Sequence, residues 1–415
     1  MLACRPWLRP AASAKSIGGD FVRERDAIKE RATLPRVSSL RYRTACCLLT
    51  LGLLGGGCAG SQDREVEAGE DPSDTDSSDP KGKAPVDARS HPAMAMTDEG
   101  IFIFGGTSAQ GADLTVGAVT DADLAVISDV PEGPFGTDLT NVSAASLGGG
   151  EVLVVGTLCD ASTGSDLEGS CEPGTLAAAR YSIATQSWDE VGLPAGLSDR
   201  RGFPSMYGTL ESGVLIGFGY LVSERDYWYF DAGSGEFSRV LPEDAGQAID
   251  ACLVDGRLAR GIYGSGDPSK PSAVSVQITE PLGEGESRVA STVAVGGDYT
   301  DITLWCAGST VLVSESGGLG KLVAIDVASG EISTLETPAE AVGAYLYGAW
   351  TGTTYIFLNT LSGQPAVAFD PAEMALRVIP GSDTPLLDFV WTGDDLVGFG
   401  SNDGTTVESV SFTVG

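Results

Sequence analysis

Glycosidase-type acid–base chemistry needs two carboxylates held across one pocket, and this chain has carboxylates in excess, with 57 Asp and Glu. The candidates are acids set between apolar runs: Glu224, Asp226, Asp298 and Asp301. Glu224-Arg225-Asp226 is the densest group and leads straight into Tyr227-Trp228-Tyr229, so it reads as a binding loop. The plain alternative is that these are solvated loop charges, with the aromatics in the core. The single histidine, His91, supports neither a Ser-His-Asp triad nor a His-based metal site. Cys159, Cys171, Cys252 and Cys306 lack zinc-ligand spacing. The stretch DPSDTDSSD (71–79) lacks the turn glycine and distal Glu of a calcium loop. Ser401-Asn402-Asp403-Gly404-Thr405 reads as a plain turn. No catalytic residue, cofactor or metal ligand is therefore assigned. Calcium is left only as a structural ion whose ligands the sequence does not identify.

Charge narrows the partners. The first 57 residues hold 10 of the 25 Lys and Arg and 4 of the 57 acids, which leaves 15 bases against 53 acids beyond them. Such a surface repels nucleic acid and anionic headgroups and favours solubility or basic partners.

Arg41-Tyr42-Arg43 precedes an apolar run of 11 residues, Thr44 to Leu54, and then Gly55-Gly56-Gly57-Cys58. The run is too short for a bilayer core, which needs about 20 apolar residues, and its flanks describe a signal peptide. The stretch LGGGCAG resembles a bacterial lipobox, although Leu54 stands four places before the cysteine rather than three. The resemblance implies cleavage before Cys58 and a diacylglyceryl group on its thiol. The protein is then expected in the cell envelope, anchored by that lipid, with Ala59 compatible with the outer membrane. Translation is expected to start nearer Val37 or Leu40. Residues 58–90 are polar and acidic, too poor in apolar surface to offset chain entropy, and read as a disordered linker.

The remainder, 91–415, repeats itself. A glycine followed by an apolar strand recurs at Gly100, Gly150, Gly213, Gly256, Gly308, Gly352 and Gly393, at intervals of 41 to 63 residues. A second signal keeps one spacing in four copies: Tyr181…Trp188…Val191, Phe230…Phe237…Val240, Ile325…Ile332…Leu335 and Phe369…Leu376…Ile379. Asp231, Asp326 and Asp370 follow the first member, with Ser182 in the other copy. That pattern predicts a hairpin whose turn is opened by an Asp or Ser bonding to nearby backbone. Two hairpins per unit make a propeller blade.

The units resemble the kelch family, including the central domain of galactose-oxidase-like proteins. IFIFGG (101–106), Arg200-Arg201-Gly202-Phe203 and Trp188 carry the likeness. It implies an all-β fold, a single β-propeller of seven four-stranded blades starting near residues 92, 141, 202, 247, 300, 343 and 386, with six or eight blades as alternatives. A strand from just before Met94 is expected to complete the last blade and close the ring. Export into an oxidising compartment favours disulfides. Cys159 with Cys171 would close one loop, and Cys252 with Cys306 would join adjacent blades; buried free thiols are the alternative for both.

Two functions fit. The favoured one is a membrane-anchored, monomeric binding or scaffold propeller that recognises an envelope protein or glycan through its loops. The other is an extracytoplasmic carbohydrate-active hydrolase or lyase working with carboxylates.

Overall fold

The computed structural model describes residues 86–413 apart from segments between strands, chiefly 109–113, 160–172, 199–201, 220–225, 242–247, 264–272, 360–363, 383–385 and 401–407. Residues 41–57, read above as a signal peptide, Cys58, Cys171, Glu224, Arg225, Asp298 and Asp301 lie outside the described residues.

The chain is a seven-bladed β-propeller. Blade 1 runs through Ala93–Thr97, Gly100–Phe104, Gly117–Thr120 and Val126–Val130. Blade 2 has Leu139–Gly148, Glu151–Cys159, Pro173–Ser182 and Ser187–Glu190. Blade 3 has Phe203–Leu210, Gly213–Gly219, Asp226–Asp231 and Glu236–Arg239, and blade 4 has Ala251–Val254, Arg257–Tyr263, Val274–Thr279 and Val289–Ala294. Blade 5 has Ile302–Ala307, Thr310–Glu315, Val323–Asp326 and Ile332–Thr334, and blade 6 has Tyr347–Trp350, Tyr355–Leu358, Val367–Asp370 and Ala375–Val378. Blade 7 shows Leu386–Trp391, Asp395–Gly400 and Glu408–Thr413. Each sheet is an antiparallel meander in chain order, four strands in the first six blades and three in the seventh among the described residues.

Period-2 alternation explains the ring. The second strands are largely apolar and buried because each lies between two neighbouring blades, Arg260 of blade 4 being a buried exception. In blade 1, Phe102 and Phe104 face blade 2, where they meet Val152, Val154 and Tyr181. Ile101 and Ile103 point the other way, to Val390, Val397 and Phe399 of blade 7. Blade 2 repeats the scheme: Leu153 and Val155 meet Val214, Ile216 and Phe218 of blade 3. Every seam has such a cluster, and the first strands neighbour one another round the whole circle, blade 7 touching blade 1.

The hairpin signal becomes register. Tyr181 pairs with Trp188, Phe230 with Phe237, Ile325 with Ile332 and Phe369 with Leu376, each directly across the third and fourth strands. Asp231, Asp326 and Asp370 open the turns, their Oδ1 atoms accepting the backbone N–H of Ser234, Ser329 and Ala372 at 2.6, 2.7 and 2.8 Å. Of the repeated glycines, Gly308 sits at φ +60 in its turn, whereas Gly213 is required by close approach, since a Cβ there would run into the Phe230 carbonyl.

Ring closure differs from expectation. The strand ahead of Met94, Arg89–Ser90, pairs with Thr107–Ser108 instead of extending blade 7. The cause is Arg89, whose buried guanidinium needs acceptors and finds the carbonyls of Gly105 and Val116 at 3.2 and 3.3 Å. Val86 donates its N–H to Leu124 O and packs with Ala88 into the seam between blades 7 and 1. The packed body thus begins ahead of residue 91, and among the described residues side-chain packing and the His91 N–H bond to Asp388 join blade 7 to the chain ahead of blade 1.

Candidate functional site

First strands surround the propeller axis, and one end of that axis opens into a cavity of about 810 Å³. Its walls come from the first strands of blades 3 to 7, with Tyr207, Asp255, Trp305, Tyr347, Trp350 and Phe389 among its lining. Gly256 and Gly308, in the turns between first and second strands, stand at its rim. Among the described residues the lining contains no Lys, Arg or His. A recess of this size, aromatic with a few acidic groups, has the make-up of a ligand site.

Glycines seat the rings. Gly308 lies under Trp350, where a Cβ would come within 3.3 Å of the indole. Gly348 leaves room for Tyr355, whose Cε1 would be 2.5 Å from an added Cβ, and Gly217 does the same for Tyr207. Tyr207 stands at a register shift between Met206 and Gly208, a bulge that re-aims a side chain. Tyr347 remains 49% exposed, the most open of the large apolar side chains. Trp305 is 4% exposed and its indole Nε1–H has no acceptor in the protein. The ring packs edge-on against Phe357 in the seam between blades 5 and 6, which closes that nitrogen to solvent.

The wall between blades 4 and 5 is cross-linked. Cys252 and Cys306 form a disulfide between neighbouring first strands, with Cα atoms 5.7 Å apart. Beside it, Asp250 accepts from Ala251 N through Oδ1 and from Leu304 N through Oδ2, both at 2.8 Å, so its carboxylate ties the same two strands. Burial, and then the Asp250 charge, push the Tyr355 phenol far above its usual range, so it stays neutral.

Of the residues singled out in the sequence, the described ones are not assembled here. Asp226 starts the third strand of blade 3 and is opposite Phe218, which pairs with Pro204, whereas the recess takes the other end of that first strand, up to Leu210. Asp226 is held by Arg239 at 2.8 Å, a structural pair. Tyr227, Trp228 and Tyr229 are buried in the seams on either side of blade 3. His91, at φ +53, donates its backbone N–H to Asp388 Oδ2 at 2.9 Å; burial pushes that carboxyl up, and His91 pulls it partly back. Cys159 ends the second strand of blade 2, opposite Pro173. Among the described residues no three His, Cys, Asp or Glu side chains converge to hold a metal ion. Missed in the sequence were Tyr347 and Trp350. The available signal was an aromatic pair in a first strand that also contains Gly348.

No known family model matches this sequence. No curated protein matches it either. Among solved structures, a chain of a mitotic checkpoint complex is 11% identical over 85% of this chain and 98% of its own, with a TM-score of 0.48. YCF48 bound to D1 peptide is 12% identical over 76% of this chain and 91% of its own, at 0.49. YjhT is 12% identical over 72% of this chain and 99% of its own, at 0.43. Likeness at that level says nothing about ligands, and the blades rest on the strand pairing above.

Proposed function

We propose that this chain is a binding and scaffold propeller that holds a protein partner at the recess on its axis. The observation that carries the reading is the recess itself: about 810 Å³, aromatic-walled, seated on glycines and braced by a disulfide. Rigid walls lower the ordering cost of binding, which is where affinity is gained. Nothing in the walls offers a carboxylate pair free for glycosidic chemistry: Asp250 is committed to two backbone N–H groups. The kelch-like repeat signature fits the same role, since propellers of that type present surfaces at the ends of the axis.

The setting belongs to the proposal too. Cys58, lipidated after cleavage of the export signal, tethers the propeller in the cell envelope through the acidic stretch that follows, as a monomer and with no cofactor. The test is capture from envelope extracts with the wild-type protein and with Tyr347→Ala. A partner retained by the first and lost by the second supports the proposal. The same partner on both proteins, or cleavage of an envelope polysaccharide without any partner, overturns it.

A further inference from the structure

We propose that the recess takes the arginine or lysine side chain of a basic peptide. This rests on the binding reading above and names the occupant. Three observations select it. The rings of Tyr347 and Trp350 line an opening that carries no cationic side chain of its own, and a cation over such faces is attracted by their quadrupoles. Asp255, exposed in the turn at the rim, and Asp250 at the wall add negative charge to the same opening. Beyond residue 57 the chain carries 53 acids against 15 bases, so the field at the mouth draws cations toward it.

Size distinguishes a peptide side chain from a bare cation: a recess of about 810 Å³ has room for the charged head and for the chain that carries it. The guanidinium or ammonium then meets the rings and carboxylates. Arginine suits the walls better than lysine, because a planar, weakly hydrated guanidinium stacks on aromatic faces. A neutral glycan could stack on the rings but leaves the acidic rim unanswered.

The test uses the mature propeller with ¹⁵N-labelled tryptophan and three probes: acetyl-Gly-Arg-Gly-amide, the same peptide with citrulline for arginine, and chitohexaose. Indole N–H resonances are followed by NMR and affinities by titration in about 150 mM salt, where bare surface charges are screened beyond about 8 Å. The arginine peptide should shift the Trp305 indole, assigned with Trp305→Phe, and bind at least tenfold tighter than the citrulline peptide. Tyr347→Ala and Asp255→Asn should each weaken it severalfold, and their unchanged thermal midpoints exclude misfolding as the cause. If chitohexaose shifts Trp305 and the arginine peptide does not, the occupant is wrong and the recess still binds. If no probe perturbs Trp305 and Tyr347→Ala also retains the captured partner, the binding reading falls with it.

Discussion

At the scale of single residues, the recess depends on contacts that leave no slack. Gly348 has the Ile356 carbonyl and the Tyr355 ring both 2.5 Å from where a Cβ would sit. Gly348→Ala should therefore force a shift of that strand and cost about 1–3 kcal/mol, read as a lower urea midpoint at unchanged slope. The disulfide constrains more chain: Cys252 and Cys306 are 54 residues apart. Breaking it with Cys252→Ser and Cys306→Ser together should cost about 4 kcal/mol by loop entropy, and a reducing agent should reproduce the loss in the wild type only. These residues also show the limit of reading by type. Asp250 is one acid among 57, and only the fold shows that it caps two backbone N–H groups of adjacent blades.

At the scale of elements, the third and fourth strands were the most legible. Their register was written in spacing, because a hairpin with a fixed turn places its flanking apolar residues opposite each other. The turn aspartates carry a pH signature. The carboxyls of Asp231 and Asp326 lie below the ordinary range, chiefly through hydrogen bonds from Ser234 and from Ser329. A depressed carboxyl adds stability that is full above the unfolded value of about 4 and disappears as pH falls through the folded value. Replacing both with Asn should flatten the loss of stability as the pH falls below about 4. Both groups are exposed, so screening keeps the effect small. The seventh blade was less legible, since one buried arginine takes the strand ahead of Met94 away from it. A strand pattern before Met94 gives no clue that Arg89 will reach for Gly105 and Val116.

At the scale of the whole molecule, the seven-fold repeat was readable because each seam is local to two adjacent units. The recess was not, because its walls come from five blades and from residues as far apart as Met206 and Phe389. Register also places it at the end of the axis marked by the turns between first and second strands, whereas the second strand of blade 3 ends and its third strand starts, at Gly219 and Asp226, toward the opposite end. The binding loop read from Glu224-Arg225-Asp226 had pointed away from the recess. The proposed tether makes a separate prediction: Cys58→Ser should move the protein from the membrane fraction to the soluble one with its thermal midpoint unchanged. Persistent membrane association would place the anchor elsewhere.

The central claim is that a protein partner is held at the recess, and amide hydrogen exchange with and without the captured partner tests it directly. Protection confined to 206–210, 250–256, 303–308 and 347–355 is the predicted result. Protection at 160–172 and 220–225, with those inner strands unchanged, would contradict it.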